Sequence, residues 1–222
     1  MIRAYNAKQW EVRAILEGRK NTIRQICKDG NEYTVPDMDF YDATRRTYAV
    51  HNFADREHTE QLSTAERTCP ICPGDTLYIR ETWGTYNKNW WESDYFLYRA
   101  DYPANATTCT HPDGMICNLP KWRRAIHMPK EAARIWLKVT DVRVERLQKI
   151  TEDGAKAEGA IDNRGFIHSP GNEYDSIHTA REHFAEIWNS TIKKADLDCC
   201  GWDASPWVWV IDFERCEKPE DA

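Results

Sequence analysis

At 222 residues the chain has room for one sizeable domain with insertions or for two small ones, and 41% apolar residues with a mean hydropathy of −0.76 predict a globular protein with long polar loops. A formal net charge of −6 excludes a protein that coats long duplexes through phosphate contacts, so any basic patch is local and suits a small ligand or a short strand. No stretch approaches ~18 consecutive apolar residues and MIRAYNAKQW has no apolar core of signal length, which predicts a cytoplasmic chain, away from membranes, with its eight cysteines as reduced thiols or metal ligands. Ten tryptophans are a heavy load; most belong in the core, and a few could line a cleft where an indole stacks on a nucleobase.

In chain order, residues 7–17 (AKQWEVRAILE) carry Val12, Ile15 and Leu16 at helical spacing, with Gly18 as the C-terminal cap. Residues 28–68 are polar and weakly patterned and read as an inserted excursion. GDTLYIRETW (74–83) is a turn followed by a strand, DYFLYRADY (94–102) is a second strand, and GTYNKNWWES between them is a hairpin-like loop with Trp90 and Trp91 half exposed. Residues 103–133 are irregular and contain CTHPDGMIC and KWRRAIHMP. RIWLKVTDVRVERL (134–147) alternates, with Ile135, Leu137 and Val139 on one face, and a change of parity at Thr140 and Asp141 predicts a bulge or turn there.

ITEDGAKAEGA is a short helix with Thr151 as N-cap and two acids in its first turn. Residues 176–190 are the clearest helix, with Ile177, Ala180, Phe184, Ile187 and Trp188 on one face. PWVWVIDFERC closes the pattern as a strand with Trp207, Trp209, Ile211 and Phe213 on one side. Strands outnumber helices and are joined by loops rather than regular crossovers, which predicts an α+β fold built as a small β-barrel with flanking helices. No repeat or domain boundary interrupts it: residues 1–216 read as a single domain with long loop insertions at about 28–68 and 84–130, and 217–222 as a tail.

Four groups of residues could carry chemistry. EGRKNTIR (17–24) places Lys20 and Thr22 two apart, on the same side of an extended segment, where a lysine of lowered pKa could activate the hydroxyl. Arg19 and Arg24 beside them could hold a phosphate or a carboxylate, and a solvated turn is the competing reading. Arg80, Glu81 and Trp83 in RETW could read the edge and face of a base, against a cross-strand ion pair beside a core tryptophan. Glu158 sits at a helix C-terminus, which disfavours a carboxylate unless a cation such as Lys20 holds it. Finally, CPIC spaces Cys69 and Cys72 as metal ligands, and Cys109, His111 and Cys117 could complete a structural zinc site, with ordinary reduced cysteines as the alternative. The adjacent Cys199 and Cys200 suit a tetrahedral site poorly, and His127 reads as a structural hydrogen-bonder. No Walker-type glycine loop, G-x-S-x-G, G-x-G-x-x-G or H-E-x-x-H occurs, which removes the common triphosphatase, hydrolase, dinucleotide and metalloprotease readings.

AILEGRKNTIR, PGDTLYIRETW, YRADY, IHMP, IWLKVTDVRVERLQKITEDGAKAEG and GWDASPWVWVIDFER, in that order over about residues 8–215, resemble the ASCH-domain family, in the longer form common in bacteriophages and prophages. The resemblance implies a PUA-like fold, a compact β-barrel with flanking helices and a cleft beside it. It also implies a nucleobase-containing ligand: a nucleoside, a nucleotide or a short single strand of RNA or DNA. Small bacterial members are amidohydrolases that deacetylate N4-acetylcytidine with a lysine, a threonine and a glutamate, and some others are reported ribonucleases. Their lysine matches Lys20 and their glutamate Glu158. Their threonine, three residues after the lysine, matches Ile23 by strict count; Thr22 stands one residue early, as does the following Arg24.

The expectation is therefore a ligand-binding ASCH protein of a bacterial cytoplasm. Arg19, Lys20, Arg24, Arg80 and Arg99 supply positive charge in it, Trp83 a stacking face, and Glu81 and Glu158 polar readout. The alternatives are a hydrolase with Lys20, Thr22 and Glu158 as catalytic residues, a nuclease, and a phage protein that engages a host factor through its insertions. None requires a cofactor.

Overall fold

The computed structural model describes residues 1–27, 71–86, 95–110, 116–164 and 178–220, and the backbone of three further strands. In chain order the elements are β1 (Ile2–Asn6), α1 (Gln9–Leu16), β2 (Thr22–Ile26), β3 (Thr34–Asp42), β4 (Thr47–Asn52), β5 (Thr64–Thr68), β6 (Thr76–Arg80), β7 (Trp83–Tyr86) and β8 (Tyr95–Tyr98). They continue with β9 (Thr108–Thr110), β10 (Ile116–Asn118), β11 (Trp136–Arg146), α2 (Glu152–Ala157), α3 (Ala180–Thr191), α4 (Leu197–Cys200) and β12 (Trp207–Cys216). Five strands pair in the order β1-β6-β11-β12-β2, with β1 parallel to β6 and β6 antiparallel to β11. The architecture is thus mixed α+β as expected, but among the described residues this sheet is open and no closed barrel forms.

The chain divides into two compact units: Met1–Gly18 with Asp75–Lys138 and Glu214–Ala222, and Arg19–Gly74 with Val139–Phe213. In the first, α1 starts where the Glu11 carboxylate accepts the Lys8 backbone N–H at 2.9 Å, and it buries Val12, Ala14 and Ile15. It ends at Gly18, whose φ of +73° is the left-handed cap the sequence predicts. β6 ends at Arg80, and β7, not β6, pairs with β8, so the expected hairpin lies one strand later. The stretch 120–123 is fastened along β7 by two backbone hydrogen bonds, Trp83 N to Arg123 O at 3.2 Å and Arg123 N to Trp83 O at 2.7 Å.

In the second unit, β2 pairs antiparallel with β12, Thr22 opposite Asp212 and Arg24 opposite Val210. Its core joins Leu147, Ile150 and Ala155 to Phe184 and Trp188 of α3 and to Val208 and Val210. Thr151 caps α2, accepting the Gly154 N–H at 3.0 Å, and Thr179 with Glu182 forms a capping box on α3. The helical face expected for α3 holds for Ala180, Phe184 and Trp188, whereas Ile177 lies outside the described residues, as do Trp90 and Trp91. β11 runs as one strand through Thr140 and Asp141; the parity change is absorbed by two successive exposed residues rather than by a turn. The 28–68 stretch carries a three-stranded antiparallel sheet, β3-β4-β5, instead of unpatterned chain.

Gly84 in β7 has no room for a side chain: an added Cβ would meet Pro120 Cγ at 2.6 Å. Gly84→Ala forces either the proline ring or β7 to move, and such overpacking costs about 1–3 kcal/mol. Urea unfolding should show a lowered midpoint with an unchanged slope; an unchanged midpoint would mean that Pro120 yields freely.

Candidate functional site

The strongest cluster of polar side chains in the second unit begins where α2 stops. Glu158 is the C-cap residue of α2, and Gly159, at φ +90°, turns the chain out of the helix. Terminal carbonyls there need donors, and cations are favoured at a helix C-terminus. Arg19 and Lys20 supply both: Arg19 Nη1 donates to Gly159 O at 3.1 Å, and Lys20 Nζ donates to Glu158 O at 3.1 Å. The backbone locks the same junction, since Lys20 forms a β-bridge with Glu158 and Asn21 N donates to Ala157 O at 2.9 Å.

Lys20 Nζ also donates to Glu158 Oε2 at 2.5 Å, with the two side chains 1% and 4% exposed. The second carboxylate oxygen accepts from Arg24 Nη1 at 3.0 Å, and the Arg24 side chain is equally buried at 3%. Two buried cations therefore share one buried carboxylate. Arg24 reaches on to Glu145 at 3.6 Å and lies over the Phe184 ring, 5.9 Å from its centroid. Its Nε is buried without an acceptor among the described residues.

The chain of charges continues. Glu145 accepts from Arg143 Nε at 2.8 Å, Arg143 Nη1 pairs closely with Asp212, and the other oxygen of Asp212 accepts from the Thr22 hydroxyl at 2.8 Å. Burial alone would lower the Arg143 pKa, but its bonds to Glu145 and Asp212 outweigh that and raise it. Lys20, Glu158, Arg24, Glu145, Arg143 and Asp212 thus alternate in sign and end on a hydroxyl. The Thr22 hydroxyl, which donates to a carboxylate that Arg143 also holds, is the neutral end of this chain.

Of the residues singled out from sequence, Arg19, Lys20, Thr22, Arg24 and Glu158 come together here. Arg143, Glu145 and Asp212 were not among them, although their signal was present. DVRVER sets Asp141, Arg143 and Glu145 on one face of a strand, and Asp212 is a lone charge within the apolar run VWVIDF.

Arg80, Glu81, Trp83 and Arg99 belong to the first unit. Glu81 is 1% exposed and accepts from Arg134 Nε at 2.9 Å and Nη2 at 3.1 Å. Burial raises its pKa and Arg134 opposes the shift. Trp83 is a core residue packed with Met128, Ala132 and Phe96, with the Arg123 guanidinium 4.9 Å above its ring. The expected stacking face is therefore covered. Arg80 Nη1 donates to Ile126 O, and Arg99 gives its guanidinium to the carbonyls of Tyr102, Pro103 and Ala104.

The cysteines proposed for zinc divide between the units. Cys109 and Cys117 face each other across the β9-β10 pair, Cys72 is buried in the other unit, and Cys69 and His111 lie outside the described residues. Among the described residues no group of three or more His, Cys, Asp or Glu side chains is arranged to hold a metal. Cys199 and Cys200 lie 3.2 Å apart, and their mutual hydrogen bond raises the Cys200 thiol to about 11. Comparison with protein-family models, curated proteins and solved structures gives no match in any of the three.

Breaking a buried ion pair from one side costs about 3–5 kcal/mol because it strands the other charge. Lys20→Met should fall at the low end of that range, since Arg24 still neutralises Glu158. In a double-mutant cycle with Glu158→Gln, followed by urea unfolding, the second substitution should cost much less in the Lys20→Met background. Additive losses would show that the pair does not couple.

A second expectation concerns the segment that follows Glu158. The Ile161 N–H donates to His183 Nδ1 at 2.9 Å, and burial together with His178 holds the His183 pKa below its ordinary value. The folded state thus binds fewer protons than the unfolded one, and stability falls as pH drops from about 6.5 towards the lower folded value. His183→Gln keeps an acceptor and removes the titration. Its unfolding midpoint should change less than that of the parent between pH 7.5 and pH 5.5, and equal changes would contradict the assignment.

Proposed function

We propose that this chain binds a nucleobase-containing ligand, whether a nucleoside, a nucleotide or a short single strand, at the charge chain anchored by Lys20 and Glu158. The observation that carries the reading is the buried 2.5 Å contact between these two groups, 138 residues apart, which are the same two that the ASCH resemblance assigns to the site. Buried charges are weak as fold stabilisers, because well-packed apolar residues serve as well or better. Their concentration at one place is therefore more economically read as chemistry. Ammonium and guanidinium donors, carboxylate acceptors and a hydroxyl are the complement of a nucleobase edge. On this reading the mixed sheet with its helices is a PUA-like scaffold, and the protein is a phage- or prophage-type ASCH protein of the bacterial cytoplasm.

A hydrolase is the second reading, favoured by the 2.8 Å hydrogen bond from Thr22 to Asp212. The Thr22 oxygen attacks the acyl carbon of an acylated exocyclic amine and passes its proton to the Asp212 carboxylate. The C–N bond then breaks as the Lys20 ammonium gives a proton to the leaving nitrogen; water, giving a proton back to Lys20, then hydrolyses the acyl ester, and the Thr22 oxygen recovers its proton from Asp212. This differs from a lysine acting as the base, since the hydroxyl's partners are Asn21 Oδ1 and Asp212.

Calorimetric titration with cytidine and N4-acetylcytidine, followed by chromatography of the mixtures, tests both. Saturable binding that weakens at least about tenfold (about 1.4 kcal/mol) in Glu158→Gln supports the binding reading. Thr22→Val, which leaves the ion pairs intact, guards against a folding artefact. Release of cytidine and acetate that Thr22→Val abolishes supports the hydrolase, and absence of both binding and turnover overturns the proposal.

A further inference from the structure

In a chain of net charge −6, the stretch from Ile116 to Lys130 holds Lys121, Arg123, Arg124 and Lys130 and no acidic residue. Several arginines in the first unit donate to the protein itself: Arg13, Arg80 and Arg99 to backbone carbonyls, and Arg134 to Glu81 and Asp101. Lys121, Arg123 and Arg124 are different. They are exposed, and among the described residues none of the three has a carboxylate partner. Thr85, Pro120, Lys121, Trp122 and Arg123 line one open groove of about 460 Å³, within the size range of small-molecule sites.

The groove is built and not a chance crease. One wall is β7, and the other is the 120–123 stretch fastened to β7 by the paired Trp83 and Arg123 backbone bonds. Gly84 lets Pro120 close against the strand. Trp122 is half-buried, supported by Tyr102 at 5.9 Å between ring centroids and by the Arg99 guanidinium at 5.8 Å. Arg99 is itself fixed by the carbonyls of Tyr102, Pro103 and Ala104, so the indole rests on a rigid platform. The order Lys-Trp-Arg-Arg puts one flat aromatic ring between cations that hold no carboxylate among the described residues, with Arg123 also lying over the Trp83 ring.

We propose that this groove docks a single-stranded polynucleotide, its phosphates on Lys121, Arg123 and Arg124 and a base stacked on Trp122. A cationic track with an aromatic platform is the pattern of sequence-tolerant single-strand binding. An acidic peptide would use the cations but leave the ring idle. The acidic balance of the rest of the chain opposes wrapping by a long duplex, which confines binding to a short strand. The site shares no residue with the Lys20 cluster and stands without the nucleobase reading of that cluster.

The test uses the full chain with fluorescein-labelled dodecauridylate and dodecathymidylate in anisotropy titrations at several salt concentrations. Three phosphate contacts predict that log K falls against log salt with a slope of about −2. Lys121→Glu/Arg124→Glu, at two exposed positions, should weaken binding at least tenfold and flatten the slope, with an unchanged urea midpoint as the folding control. Trp122→Ala should weaken binding roughly tenfold while leaving the slope intact, a response that pure charge attraction cannot produce. Absence of binding at low salt, or binding untouched by these variants, overturns the proposal. So does equal competition by polyglutamate or by a duplex of the same length. In the same preparations Lys121→Glu/Arg124→Glu should keep full cytidine binding, so that a failure of the groove and a failure of the Lys20 site are read separately.

Discussion

The contact between Lys20 and Glu158 decides how the second unit is assembled around its polar cluster. A carboxylate at the end of α2 faces the helix's own unsatisfied carbonyls, an arrangement that is unfavourable alone. Lys20 reverses the sign of that environment and caps the carbonyl as well. The backbone bridge between the same two residues makes the contact a matter of chain path as well as of side chains. Residues far apart in sequence are thereby held in register before any charge is counted, and Arg24, four residues after Lys20 and within β2, meets the remaining oxygen of Glu158.

Placing two cations on one buried carboxylate leaves a local positive excess, and Glu145 and Asp212 restore the balance through Arg143. Each carboxylate and each cation along the path has a partner of opposite sign, so desolvation is compensated step by step rather than at one pair. The last step differs in kind. Asp212 spends one oxygen on Arg143 and the other on a neutral hydroxyl, so Thr22 lies at the end of a polarised path. The cross-strand register sets this pairing, with Thr22 directly opposite Asp212. Thr22 therefore has a defined geometry although Ile23 stands at the position a strict family count would give the threonine. Ile23, almost wholly buried, packs on the opposite face of β2 and could not serve.

The parts of the fold that could be read from sequence are those where one physical signal dominates. α1 with Gly18, α2 with Thr151 and α3 with its capping box each show a cap beside an apolar face. The open sheet was harder to read than its strands, because closure depends on which distant edges meet and periodicity is local. β3 contains Pro36 and shifts register between Asp37 and Asp42, which hides its alternation. For Arg80, Glu81 and Trp83 the strand-end position left a ligand contact and an ion pair beside a core tryptophan both open, and the structure shows the latter, while Arg99 became a ligand candidate only with the ASCH resemblance. Their real partners are Arg134, Arg123 and a series of backbone carbonyls, none of which spacing reveals. The place of Glu158 at a helix C-terminus suggested a cation such as Lys20, and the ASCH resemblance brought the two segments to one site, since no local spacing spans the 137 residues between them.

Counting charges is a poor guide to where this protein offers them. Arg99 is a candidate ligand cation in the sequence, yet hydrogen bonds to the protein itself consume it, as they do Arg134, whereas Lys121 and Arg124 sit in an irregular stretch and remain exposed. The difference follows from what each residue must hold in place. Arg99 braces the turn beneath Trp122, and Arg134 pairs with Glu81 and opposes the burial that raises its pKa. Releasing either brace would leave a polar group of the first unit without its partner. In the first unit Lys121 and Arg124 hold no carboxylate among the described residues and lie exposed at its surface.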